Sequence, residues 1–285
     1  MASPTKGSET RSGFGRQRPG ALPRTLWQLA DSRRLGTVTR ARLRNLVTRL
    51  APGPFDIEAE DIRLRAYPAE NHSDRVAMAR GRLPDRDERA AIAPYLSDGG
   101  TFVDVGANIG LYALWAARRV GPSGRVIAVE PHPATAERLS FNIAANGHDN
   151  IRVVRSAVGK TEGTAKLHAS AGGNSGQSSL LADVAFRSEQ AFRVPVRPLL
   201  DIVTEAGLSA IDVLKVDIEG YEDRAIVPFL ETAPEALLPR AVLVETDVAD
   251  CWETDCLAAL RAHGYALRAQ TVANAVLTRD IEGSE

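Results

Sequence analysis

From Gly100 onward the chain repeats one pattern: a short apolar run of strand formers, a turn, then a segment with helical spacing. Strand-like runs fall at Thr101–Val105, Arg125–Glu130, Ile151–Val154, Ile211–Asp217 and Ala241–Thr246, with helical patterns at Leu111–Val120, Ala134–Asn146 and Tyr221–Leu230. Strands joined by crossover helices lie parallel in one sheet covered on both faces. The near-continuous apolar character of the runs fits burial on both sides. The end of the chain differs: a helix in "CLAALRAHG" is followed by Tyr265–Ala269 and Ala273–Thr278. Two strands that close in sequence are expected as an antiparallel pair, because a parallel crossover needs about a dozen residues. The pattern predicts an α/β fold on a mostly parallel, doubly wound sheet.

In such a sheet a ligand sits beyond the carboxyl ends of the strands, where the winding reverses. The stretch "TFVDVGANIG" ends a strand in that manner. Gly106 lets the backbone turn with no side chain between it and a ligand, Ala107 and Asn108 continue the turn, and Gly110 permits close packing where the next helix starts. Twenty residues on, "RVIAVEP" closes a second strand with Glu130 and Pro131. A carboxylate at that place accepts two hydrogen bonds from a ribose diol, which implies an adenosine-type ligand. Dinucleotide binders carry G-x-G-x-x-G, whereas here the middle glycine is missing and Asp104 stands two residues before the turn. A carboxylate there suits an ammonium group better than a pyrophosphate. The pattern points to S-adenosyl-L-methionine and away from a dehydrogenase.

These residues carry a family resemblance. Residues 101–159, from "TFVDVGANIG" through "VEPHP" to "SAVG", together with "IDVLKVDIEGYE" at 211–222, resemble the FkbM family of S-adenosylmethionine-dependent methyltransferases. The likeness covers roughly residues 95–280. "VDVGANIG" followed by "EP" is shared by many methyltransferases, whereas "LKVDIEGYE" is more particular to this family. The resemblance implies a Rossmann-like class I methyltransferase fold, seven strands with the last antiparallel. It implies O-methylation of a hydroxyl on a sugar, a glycan or a secondary metabolite. By the same resemblance Ser156 and Ala157, after the third strand, are expected at the adenine ring.

A second constellation lies in "IDVLKVDIEGYE" and "AVLVETD". Lys215 and Asp217 are two apart on a strand and share a face, and a lysine in an apolar strand needs a partner to keep its charge. Glu219 follows in the next loop and Glu245 ends the neighbouring strand, so several acids converge at the carboxyl edge. Two uses stand open. A carboxylate takes the hydroxyl proton as general base, or Asp217, Glu219 and Glu245 hold a divalent cation, the oxygen-rich set suiting Mg²⁺ or Ca²⁺ rather than zinc. Catechol-type methyltransferases hold magnesium at these strand ends, but their following Asp-Asn pair is replaced here by "ETD". The loop "GGNSGQSSL", Gly172–Leu180, is a candidate substrate lid carrying Asn174 and Ser175. The five histidines have no metal-ligand spacing and are expected at the surface.

Charge divides the chain. Lys6 and ten arginines stand against Glu9 and Asp31 in residues 1–50, a balance of +9, so with −1 overall the remainder carries −10. Residues 1–24 read as a disordered basic tail, residues 25–96 as a helical and mixed extension, and residues 97–280 as the methyltransferase domain. The arm has the charge to touch an anionic membrane or polyphosphate. An acidic domain without an N/D-P-P-Y/F motif is not expected to methylate nucleic acid, so the expected partner is a small-molecule or glycan hydroxyl. The remaining alternatives are a non-catalytic module that binds the cofactor, or a macromolecular acceptor. No apolar run reaches the roughly 18 residues of a spanning helix, and the first thirty residues lack a signal-peptide pattern. Cys251 and Cys256 form no disulfide framework, and a cytoplasmic location is expected.

Overall fold

The computed structural model describes residues 13–32, 34–168, 178–181 and 191–279. Helices α1 (Ala21–Ala30) and α2 (Thr37–Leu50), a hairpin of β1 (Phe55–Ala59) and β2 (Ile62–Ala66), and helices α3 (His72–Arg80) and α4 (Arg86–Ile92) come first. The alternating part follows as β3 (Thr101–Val105), α5 (Leu111–Val120), β4 (Arg125–Val129), α6 (Pro133–Asn146) and β5 (Ile151–Val154). Then come β6 (Ala157–Val158), β7 (Gly163–His168), β8 (Ala191–Arg197), α7 (Leu199–Glu205), β9 (Val213–Val216) and α8 (Glu222–Thr232). The chain ends through β10 (Ala241–Glu245), α9 (Cys256–Ala262), β11 (Ala266–Gln270) and β12 (Asn274–Thr278).

Seven strands form the main sheet in the order β5-β4-β3-β9-β10-β12-β11. Strands β5, β4, β3, β9 and β10 run parallel, and β12 runs antiparallel to both β10 and β11. This is the α/β, Rossmann-like class I methyltransferase fold, mostly parallel with its last strand antiparallel. The winding reverses between β3 and β9, so the crevice at their carboxyl ends is where a ligand belongs. A smaller sheet, β6-β8-β7, was only partly legible in the sequence. β8 lay outside every pattern, because its run is broken by Pro195.

Alternation along the strands feeds two cores. Phe102, Val126, Ala128, Val213 and Leu243 pack on one face with Leu114 of α5 and Leu139 of α6. Val103, Val105, Ile127, Leu214 and Val216 pack on the other with Val203 of α7, Phe229 of α8 and Leu260 of α9. The N-terminal extension joins the first core rather than forming its own: Trp27, Val47, Leu64 and Ile92 belong to the same cluster. Trp27 is fully buried and donates its indole N–H to the Ala51 carbonyl at 3.0 Å. Part of the stretch expected as a disordered tail is structured. Asp56 Oδ2 accepts from the amides of Gly15 at 2.7 Å and Gln17 at 3.0 Å, and α1 is helical from Ala21. Residues 1–12 lie outside the described residues. Among those described, no helix is long and apolar enough to cross a membrane.

Candidate functional site

One cavity opens at the reversal point, bounded by the β3–α5 turn, the ends of β4, β9 and β10, the residues after β5, and the start of α3. Of the residues expected at a cofactor, Gly106, Ala107, Asn108, Glu130, Pro131, Ser156 and Ala157 line it. Gly106 has φ +79°, and a Cβ there would sit 1.8 Å from the Asp217 carbonyl oxygen. The glycine is thus required by the backbone of the acidic loop, a stronger constraint than the ligand clearance expected. Gly110 is packing: φ is +95° and a Cβ would lie 2.5 Å from Leu139 Cδ1. Asn108, at φ +52°, donates its amide to Glu130 Oε2 at 2.9 Å, and the His132 amide donates to Oε1 at 2.8 Å. Those bonds fix the Glu130 carboxylate at the cavity wall, although burial still raises its pKa to about 7. The Ser156 hydroxyl is buried with no hydrogen-bond partner among the described residues. An orphaned hydroxyl at the place expected for adenine, lining the same cavity as an anchored carboxylate, fits an adenosine-type cofactor.

Asp104 corrects the reading. Its side chain is fully buried and does not line the cavity. It lies in register opposite Lys215, whose Nζ is 3.2 Å from Asp104 Oδ1 and 3.3 Å from Asp217 Oδ2. The cation beside Asp104 is therefore a lysine of the next strand, not the cofactor's ammonium. Lys215 also donates to the Gly106 carbonyl at 3.0 Å, so it ties the β3–α5 turn to the acids. Burial disfavours the ammonium, but Asp104 and Asp217 more than offset it and raise its pKa above the usual lysine range. Burial pushes the Asp104 carboxyl up, with Lys215 pulling it back.

The remaining acids converge as expected. Asp217, Glu219 and Glu245 each place a carboxylate oxygen within 4.8 Å of the others. Glu219 has φ +56°, a strained conformation for a non-glycine residue, and its amide donates to Glu245 Oε2 at 3.2 Å. Burial first, and the Asp217 charge next, push both Glu219 and Glu245 well above the usual carboxylate range. The rest of "LKVDIEGYE" holds this loop. Gly220 supplies φ +93°, and the Glu222 carboxylate accepts from the amides of Ile218 at 2.9 Å and Gly220 at 3.1 Å and from the Trp252 indole at 2.8 Å.

The sequence pointed to residues 52–96 for an acceptor pocket but named no residue there. Asn71 and His72 at the start of α3 and Asp85 before α4 line the cavity, as do Tyr112 and Tyr221. Asn71 caps α3 through Ser73 and donates to Asn108 Oδ1 at 3.0 Å, which is how α3 reaches the β3–α5 turn. An Asn followed by an acid three residues later is a readable cap, though nothing local says where the cap points. His132, expected at the surface, is buried and its Nδ1 accepts from the Thr135 amide at 3.3 Å. Of the candidate lid, Asn174 and Ser175 lie outside the described residues. Its described end reaches the site, since Ser178 and Leu180 line the cavity and Ser179 Oγ donates to the Glu219 carbonyl at 2.7 Å.

The Gly106 geometry yields an expected result. Gly106→Ala should cost at least about 1–3 kcal/mol of stability, from positive-φ strain alone, and should abolish S-adenosylhomocysteine binding by displacing the Asp217 loop. Denaturant unfolding and calorimetry check it; unchanged values for both would refute the contact.

Residues 104–265 match the model of the methyltransferase FkbM domain. The chain is 30% identical over 173 residues to Methyltransferase sdnD of Sordaria araneosa, covering 50% of this chain and 65% of that protein. It is 28% identical over 200 residues to the AMB antimetabolite synthetase AmbE of Pseudomonas aeruginosa, 57% of this chain but 9% of that protein. It is 29% identical over 202 residues to the 31-O-demethyl-FK506 methyltransferase FkbM of Streptomyces tacrolimicus, covering 61% of this chain and 76% of that protein. The chain thus spans less than two thirds of the first two relatives.

Proposed function

Since the chain belongs to the FkbM methyltransferase family, we propose that it is an S-adenosylmethionine-dependent O-methyltransferase acting on a hydroxyl of a sugar, a glycan or a secondary metabolite. The observation that carries this reading is the single cavity shared by two sets of residues. Glu130, Asn108 and the orphaned Ser156 hydroxyl line one part of it, and Asp217, Glu219 and Glu245 another. Glu130 would hold the ribose, Ser156 and Ala157 the adenine, and the turn at Gly106–Asn108 the backbone edge of the cofactor. When bound, S-adenosylmethionine supplies an electrophilic methyl group.

Asp217 takes the hydroxyl proton. It is the carboxylate paired with Lys215, its side chain is 40% exposed, and it lines the cavity. Glu219 and Glu245, held toward their neutral forms, orient the acceptor by hydrogen bonds. Carboxyl groups that both donate and accept suit a polyhydroxylated acceptor. The FkbM relative's name, with its 31-O-demethyl acceptor, supports oxygen as the methylated atom.

A divalent cation is the second reading, favoured by the three oxygens within 4.8 Å. Against it, Lys215 already stands 3.3 Å from Asp217 and supplies the positive charge a metal would bring. The test is to incubate the protein with methyl-labelled S-adenosylmethionine and a cell extract and to identify the labelled product. An alkali-stable methyl ether on a hydroxyl is expected, formed equally after exhaustive chelation. Label on nitrogen, or no transfer with cofactor binding intact, would overturn the reading. A loss restored by Mg²⁺ would replace the metal-free route with the metal-assisted one.

A further inference from the structure

The arm ahead of the sheet has an inner face that the core explains and an outer face that it does not. Trp27, Ala30 and Val47 point inward and are buried. Outward stand Leu22, Leu29, Val38, Leu46 and Leu50, each at least half exposed, and they are five of the seven large apolar side chains exposed among the described residues. Leu22 and Leu29 are seven apart on one side of α1. Val38, Arg42, Leu46, Arg49 and Leu50 follow one stripe of α2 at i, i+4, i+8, i+11 and i+12. Arg24, Arg42 and Arg49 are exposed and pair with no carboxylate among the described residues. Asp31, the acid between these helices, is buried and engaged by Arg44 at 2.9 Å and by Arg80 at 2.8 Å.

A solvated helix face mixes charges of both signs, and a nucleic-acid groove adds aromatic platforms. Here the charges are arginines, and the one aromatic of the two helices, Trp27, faces inward. We propose that α1 and α2 dock the protein on an anionic lipid surface. Leucine and valine side chains enter the headgroup–acyl boundary, while arginine stems lie beside them with guanidinium groups at the lipid phosphates. The charge division of the chain supports that occupant: an anionic surface attracts the +9 arm and repels the −10 remainder, which orients the molecule. The Asp31 bridge links the arm to α3, whose first residues line the cavity, so docking also fixes the cavity relative to the surface.

The full chain is tested by co-sedimentation with vesicles of phosphatidylcholine and of phosphatidylcholine with phosphatidylserine. Binding to the anionic vesicles only, weakening as salt rises, is expected. Arg42→Gln with Arg49→Gln should lower that affinity roughly 30-fold, at about fivefold per arginine. Leu46→Gln with Leu50→Gln should lower it at least about tenfold. Both variants change exposed residues outside the cavity and should keep the parent melting temperature, which excludes misfolding as the cause. Equal binding to neutral vesicles, no vesicle binding, or variants that bind like the parent would overturn the proposal. So would RNA binding tighter than anionic vesicles, or self-association that the leucine variant abolishes without any lipid effect.

Discussion

Replacing Asp217 by asparagine should lower kcat by about 10²–10⁴-fold, the usual contribution of a positioned general base, while S-adenosylhomocysteine affinity stays within a few-fold of the parent. The prediction separates catalysis from binding because the two depend on different parts of Asp217. Its backbone carbonyl packs against Gly106 and its amide donates to the Val105 carbonyl at 3.1 Å, and asparagine keeps both. Only the negative oxygen beside Lys215 is lost. Glu245→Gln should do less harm, roughly tenfold or under, because burial already holds that carboxyl toward its neutral form and an amide still donates a hydrogen bond. Steady-state kinetics with the acceptor, beside calorimetry with S-adenosylhomocysteine, give the answer. Full turnover in Asp217→Asn would remove the base from Asp217, and a matching loss of cofactor affinity would make the residue structural.

How much of this was readable in advance depended on distance along the chain. That the β3–α5 turn and Glu130 meet at one cavity was legible because they follow local rules: a strand ends, a glycine turns, a carboxylate recurs twenty residues later. The antiparallel end was legible because β11 and β12 are too close for a crossover. What escaped depended on register between distant strands. The sequence places Lys215 two residues from Asp217, which predicted their contact, but its contact with Asp104 follows from β3 and β9 lying side by side with those two residues opposed. The reason for Gly106 has the same origin, since the atom it must avoid is more than a hundred residues away. Asn71 and Asp85 sit in irregular segments with no periodicity to place them, and their role at the cavity emerges only when the extension joins the first core.

Lys215→Met should destabilise the protein by about 3–5 kcal/mol, the range for removing one partner of a buried ion pair. Lys215 is 4% exposed and Asp104 fully buried, so water cannot replace the lost ammonium. Two further outcomes distinguish an unpaired charge from a packing defect. Adding Asp104→Asn should recover most of the loss, because a neutral amide has a far smaller cost of burial than a carboxylate. The single variant's deficit should also shrink as pH falls. Asp104 is already raised by burial in the parent, and without Lys215 its folded pKa rises further above the unfolded value. The folded state then binds the extra proton, so stability declines as pH climbs from the unfolded carboxylate pKa toward the folded one and recovers on acidification. Denaturant unfolding of the parent, the single and the double variant across that range checks all three expectations. A double variant no more stable than Lys215→Met would mean that Lys215 matters for its packing and its bond to the Gly106 carbonyl rather than for Asp104. In that case the charge pairing with Asp104 would add no stability of its own, and Lys215 would act by packing and by holding the β3–α5 turn through the Gly106 carbonyl.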